Sequence, residues 1–186
     1  MRTCASAGTY LRVVDPDWEH PLDCAVSMAG GGRWNPPEAM PTAYLNADLG
    51  TARANARLLI ERSIEGMPFD FDDLDPLGLP ALVLVCLPSG DILDARTPTG
   101  LEAAGLPASY PRRPAGDPVP WQACQRVALR AHQAGLTRIH YRSAVYAAGA
   151  GEVAWFADLG GPLQVAGPVQ PFDTWFWDQA ASDSSN

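Results

Sequence analysis

The chain is poor in positive charge: 13 Lys and Arg stand against 21 Asp and Glu, a formal net charge of -8 and a pI near 4.7. Phosphate backbones are bound by clustered cations, so direct nucleic-acid binding is not expected, although a local basic pocket can sit inside an acidic molecule. The acidic surface suits a basic protein partner or serves solubility. No apolar run approaches the roughly 20 residues of a membrane span. No charged segment followed by an apolar one opens the chain, and a cytoplasmic location is the simplest expectation. The four cysteines (Cys4, Cys24, Cys86 and Cys124) show no metal-ligand spacing, and a chain of this length does not depend on disulfides. The three histidines, His20, His132 and His140, show no zinc pairing, and His132 and His140 read as structural or surface residues. No metal is expected. There is no Walker loop, no G-x-G-x-x-G after a strand and no G-x-S-x-G elbow.

What remains is a chain of 186 residues with 47% hydrophobic content, enough for one domain (1–186) with a real core. Thr9 to Val14 reads as a strand ended by Asp15-Pro16-Asp17. Pro21 to Met28 is ambiguous, and Gly30-Gly31-Gly32 predicts a loop. Thr42 to Leu45 predicts a strand. Asp48 is a candidate N-cap for a helix over Leu49 to Ser63, in which Ala52, Asn55, Ala56, Leu59 and Ser63 share a face. An Asn on so small and apolar a face needs a polar partner or a ligand.

Pro68 to Pro80 predicts a loop, Ala81 to Leu87 a strand buried on both faces, and Ile92 to Asp94 a short separate one. Thr97 to Pro120 carries six prolines and three glycines. It predicts a long irregular surface segment with at most a short helix near Leu101 to Ala104, either functional or a tolerated insertion. Trp121 to Ala134 predicts a helix burying Cys124, Val127, Ala128 and Ala131, ended by Gly135. Thr137 to Tyr141 and Glu152 to Phe156 predict strands, Gln164-Val165 a further one, and Ser182 to Asn186 a frayed tail. Trp175, Phe176 and Trp177 finish either a core or a partner interface, with the core favoured. Strands and helices do not alternate regularly, so an α+β (mixed α/β) fold with a largely antiparallel or split sheet is expected.

The informative stretch is Gly30 to Tyr44, GGGRWNPPEAMPTAY. A glycine loop beside an arginine and an aromatic can cradle a nucleotide diphosphate: backbone N–H groups approach the phosphate oxygens and the guanidinium binds them in a fork. The residues alone equally allow an ordinary turn carrying a surface arginine.

Arg12, the run GGRWN at Gly31 to Asn35 and the strand at Tyr44-Leu45 resemble the opening of a RES domain. The helix at Trp121 to Ala134, Gly135-Leu136 and IHYRSA at Ile139 to Ala144 resemble its closing half, and the likeness spans Thr9 to Phe156. The resemblance implies an ADP-ribosyltransferase-like split antiparallel sheet with flanking helices. It also implies a toxin of a toxin–antitoxin system that takes NAD+ as substrate, by NAD+ glycohydrolase or ADP-ribosyltransferase action. A cognate helix-turn-helix (Xre-type) antitoxin would hold it inactive, and a protein acceptor of ADP-ribose is a further implied partner. Gly31, Gly32, Arg33, Trp34, Tyr44 and Ser143 would bind NAD+. Arg33 would anchor the phosphates or orient the nicotinamide ribose, Tyr44 would pack on the nicotinamide ring, and Ser143 would hydrogen-bond in the same pocket.

At one position the chain departs from the family. The expected helix glutamate is Asn55, which cannot stabilise an oxocarbenium-like state as a carboxylate does. Glu38, Glu61 and Glu152 are the possible replacements. Glu61 lies about 240° around the helix from Asn55. Glu152 would exchange the two residue types, with the amide on the helix and the carboxylate on the strand. The alternative is a silenced RES-like module that binds nucleotide or protein without turnover.

Overall fold

The computed structural model describes residues 5–64 and 78–177. The loop expected over Pro68 to Pro80 lies largely outside these, as do Cys4, the tail from Ser182 and the side chain of Ser63. Among the described residues six strands are present: β1 (Ala5–Val14), β2 (Thr42–Asn46), β3 (Ala81–Ala95), β4 (Arg138–Tyr141), β5 (Glu152–Phe156) and β6 (Gln164–Val165). The helices are α1 (Ala25–Gly30), α2 (Leu49–Ser63), α3 (Pro98–Ala104), α4 (Trp121–Gln133), α5 (Ala157–Gly160) and α6 (Phe172–Trp175).

The sheet runs β1-β2-β5-β4-β3-β6, and β1 also pairs with β3. Its two halves are β1 on β3, antiparallel from Ala5–Asp91 to Val14–Ala81, and β2-β5-β4, antiparallel throughout. They meet at the pair Leu11–Asn46 on one side. On the other, the far end of β3 (Ile92–Ala95) runs parallel to β4. The expected mixed, split sheet is therefore present, with one parallel pairing inside it. Ile92 to Asp94 is not a separate strand but the continuation of the strand begun at Ala81. Pro88, Ser89 and Gly90 mask that continuity in the sequence, since they read as a turn.

The local signals explain the helices. Asp48 caps α2, its Oδ1 accepting the Thr51 N–H at 2.7 Å. Ala52, Ala56 and Ile60 form the buried face of α2, while Leu59 is 47% exposed. The apolar face is thus rotated towards Ile60, and Asn55 sits at its edge. α3 is longer than expected and starts at Pro98: the Thr97 hydroxyl accepts the Gly100 N–H at 3.1 Å and proline occupies the first turn. The rest of the proline-rich segment is not surface chain throughout, because Leu106, Tyr110 and Val119 enter the main core. α4 buries the four residues expected of it, and Gly135 follows at φ 77°. Phe172 and Trp175 join the core beneath α2 with Leu79 and Leu82, while Trp177 stays half-exposed. No helix of the described residues is long and apolar enough to cross a membrane.

Candidate functional site

A cleft of about 350 Å³ opens where the two half-sheets meet. Side chains alternate along a strand, so Thr42, Tyr44 and Asn46 of β2 all face it. One bank is α2, and the other is the loop carrying Gly31, Gly32 and Arg33 with Trp121 at the start of α4.

The glycine loop is wrapped tightly around Tyr44. Gly31 has φ 68°, and a Cβ on Gly32 would lie 2.4 Å from the Tyr44 hydroxyl oxygen. Both positions therefore require glycine, one for its backbone angle and one for close approach. The Tyr44 hydroxyl accepts the Trp34 N–H at 2.9 Å and donates to Asn35 Oδ1 at 2.6 Å. Asn35, fully buried, donates in turn to the Ser27 carbonyl at 2.6 Å. Burial pushes the Tyr44 phenol well up, against the opposing effect of Arg33, so it is a neutral donor at physiological pH.

The guanidinium of Arg33 lies 6.0 Å from the Trp121 ring, and its Nη1 is buried without a hydrogen-bond partner. The Cys124 thiol is a side-chain hydrogen-bond neighbour of the same guanidinium, and the one unpaired nitrogen is suited to an anionic or polar ligand atom.

Glu152 opens β5, cross-strand from both Asn46 and Tyr141. It lines the cleft, and Tyr141 donates its hydroxyl proton to Glu152 Oε2 at 2.9 Å. Burial first, then the Glu152 charge, raises the Tyr141 phenol far above its ordinary range, which keeps it a donor. Among the described residues no arginine forms a salt bridge with Glu152. Arg142 instead donates to the Arg96, Ala108 and Tyr110 carbonyls. Across the cleft, Asn55 donates to Asn46 Oδ1 at 2.7 Å, and Asn46 donates to the Leu11 carbonyl at 3.1 Å. The amide on the helix and the carboxylate on the strand thus face one space.

Four expected residues, Arg33, Tyr44, Asn55 and Glu152, are brought together here with Gly31 and Gly32. Two are placed differently. Trp34 is fully buried, its ring 5.0 Å from Tyr141 and 5.9 Å from Tyr110, so it supports the loop from beneath instead of lining the cleft. Ser143 is buried, and its Oγ accepts the N–H groups of Val145 at 3.2 Å and Tyr146 at 3.1 Å. It shapes the loop after β4, whose Ala144 and Val145 do line the cleft. Of the other carboxylates, Glu61 pairs with Arg57 at 2.9 Å on the outer face of α2, and Glu38 is exposed in a turn at φ 60°. Asn46, Trp121 and Tyr141 escaped sequence reasoning, because only the strand pairings and the α4 packing bring them to the cleft. Strand alternation from Tyr44 was the available signal for Asn46.

His132 meets Asp158 at 2.8 Å and packs edge-on against Phe156. His140 contacts Arg96 at 3.1 Å, outside the cleft. Among the described residues no group of three His, Cys, Asp or Glu could hold a metal ion.

A family model described as the RES domain matches residues 9–177. No curated protein matches the chain. Among solved structures, a chain in the crystal structure of the M. tuberculosis MbcT–MbcA toxin–antitoxin complex superposes with a TM-score of 0.65 at 22% identity. The match covers 89% of this chain and 84% of that one.

Proposed function

The chain belongs to the RES-domain family, and from that premise we propose that it binds NAD+ in the cleft and cleaves the nicotinamide–ribose bond. The observation carrying this reading is the placement of Glu152 in one cleft with Arg33, Tyr44 and Asn55. Breakage of the C1′–N bond sends its electron pair to nicotinamide and leaves an oxocarbenium-like ribose. The Glu152 carboxylate, held by Tyr141, stabilises that positive charge. Attack by water then gives ADP-ribose and releases one proton, for which Glu152 is the acceptor at hand; attack by a protein nucleophile gives the ADP-ribosylated acceptor instead. Asn55, steadied by Asn46, hydrogen-bonds a ribose hydroxyl, and Tyr44 packs on the nicotinamide ring.

Regulation by a cognate helix-turn-helix antitoxin is part of the same proposal. The mouth of the cleft exposes Val26, Leu59, Trp121 and Val145, an apolar rim of the kind that partners cover.

The test is incubation of purified protein with NAD+, following nicotinamide release in the wild type and in Arg33→Ala and Glu152→Gln. Turnover lost in both variants supports the reading. Binding of NAD+ without turnover in the wild type supports a silenced module in its place, with the amide at position 55 as the reason. Absence of both binding and turnover removes the nucleotide reading. Labelled ADP-ribose on a protein marks transfer, and free ADP-ribose alone marks hydrolysis.

A further inference from the structure

α4 meets the glycine loop through three residues of one helical face. Trp121, Cys124 and Gln125 stand at i, i+3 and i+4, so their side chains leave the helix on the same side. The Trp121 ring lies 6.0 Å from the Arg33 guanidinium carbon, and the Cys124 thiol is a side-chain hydrogen-bond neighbour of that guanidinium. These two contacts act on the head of Arg33. Gln125 acts on its backbone: Nε2 donates to the Gly32 carbonyl at 2.8 Å and reaches the Asn35 carbonyl at 3.4 Å.

Those two carbonyls bracket Arg33 and Trp34. The Gly32 N–H donates to the Asn35 carbonyl at 2.8 Å, which closes the tip from within. The Gln125 amide clasps the same tip from a position 93 residues beyond Gly32. Gly31 and Gly32 give the loop no side chains with which to hold itself, and glycine backbone has the most conformational freedom to lose. An anchor from outside therefore matters more here than in an ordinary turn. The packing of α4 does not require Gln125. That helix is buried through Cys124, Val127, Ala128 and Ala131, whereas Gln125 is partly exposed at the edge of the stripe. Its amide could be left to water, yet it is spent on the loop. Gln125 does not line the cleft.

Resting on the NAD+ reading, we propose that Gln125 is a positioning residue: it holds the Gly32–Asn35 tip so that the Arg33 guanidinium is presented to the ligand. Gln125 touches no ligand atom and acts through Arg33. Tyr44 is seated separately, by the Trp34 N–H and the Asn35 side chain.

Calorimetric titration with ADP-ribose tests this in the wild type, Gln125→Met, Arg33→Ala and the double variant. Methionine keeps the length of the side chain and removes both donors. Gln122→Met, the same change at an exposed position of the same helix, is the control. Gln125→Met is expected to bind at least about fivefold more weakly, the scale of a lost hydrogen bond, and the control to bind as the wild type does. In the Arg33→Ala background the same substitution is expected to change affinity by less than about twofold, because the residue it positions is gone. An equal loss in both backgrounds is a general effect on the fold and overturns the assignment. A folded Gln125→Met with wild-type affinity overturns it too, and leaves the NAD+ reading standing. NMR of the wild type needs no variant: the Gln125 side-chain NH2 is expected to show nuclear Overhauser contacts to protons of the Gly32–Asn35 tip, and their absence overturns the latch. Failure of the wild type to bind either NAD+ or ADP-ribose overturns both readings.

Discussion

Asp48 accepts the backbone N–H of Ala150 at Oδ2, at 2.6 Å, while its Oδ1 caps α2 through the Thr51 N–H at 2.7 Å. One carboxylate therefore ties the start of the helix bearing Asn55 to the loop that leads into Glu152. The adjacent backbone repeats the link, with Ala47 N–H donating to the Gly151 carbonyl at 3.0 Å. Arg96 holds the same loop from outside, donating to the Ala150 carbonyl at 2.9 Å.

Asp48→Asn separates the two roles. The amide oxygen keeps the cap, but the NH2 that replaces Oδ2 cannot accept the Ala150 N–H. Asp48→Ala loses both, and the cap alone is worth about 1 kcal/mol. The expected outcome is a larger fall in unfolding free energy for Ala than for Asn, measured by urea titration. Nicotinamide release is expected to fall in both, since each frees the Glu152 loop. An Asn variant with wild-type turnover would show that the strap does not position Glu152.

Glu152→Gln is expected to lower nicotinamide release by about 100-fold or more, the scale of removing one preorganised electrostatic group. ADP-ribose affinity is expected to change less than turnover, because the charge that Glu152 is proposed to stabilise exists only while the bond breaks. The double variant Glu152→Gln with Asn55→Glu returns a carboxylate to the helix side of the same cleft and is expected to recover part of the rate. Equal rates for the single and double variants would leave the exchange of amide and carboxylate without support.

How much of this was legible in the sequence follows from which interactions are local. The Asp48 cap, the buried stripe of α4 and the β5 boundaries depend on neighbours within a few residues, and each could be read directly. Asn55 was identifiable because an amide on a small apolar face demands a partner, but the partner, Asn46, is set by helix packing on β2. Trp34 and Ser143 stand outside the lining of the cleft for a related reason. An indole beside a glycine loop looks the same in sequence whether it faces ligand or core, and here Tyr110 and Tyr141 decide it. The hydroxyl of Ser143 is claimed by its own loop, a local alternative that short polar side chains always have.

Gly32→Ala tests the close approach that the glycine loop makes. The added Cβ meets the Tyr44 hydroxyl at 2.4 Å and Asn35 Oδ1 at 2.9 Å, both held by hydrogen bonds. Tyr44 must move out of its seat, so ADP-ribose and NAD+ affinity are both expected to fall. Tyr44→Phe removes the same hydrogen bonds without a clash and leaves Asn35 Oδ1 unpaired, a cost of about 1–3 kcal/mol. Thermal unfolding separates them: Phe lowers stability with binding partly kept, whereas Ala at 32 impairs binding. Gly32→Ala with unchanged affinity would mean the loop opens without consequence for the ligand.

His140 makes stability depend on acid. Burial first, and the Arg96 charge next, lower its pKa from 6.5 to about 4. The contact of 3.1 Å with an Arg96 nitrogen requires Nε2 to accept, so the folded ring is neutral. The unfolded chain takes up the proton near pH 6.5 and the folded chain only near pH 4, so the unfolded state binds more protons between them. Stability from this group is therefore full above pH 6.5 and is lost as pH falls towards 4. His140→Gln keeps an acceptor for Arg96 but does not titrate. Urea midpoints across this pH window are expected to fall in the wild type and to fall less in the variant. Parallel curves would mean that His140 is not the source of the acid sensitivity.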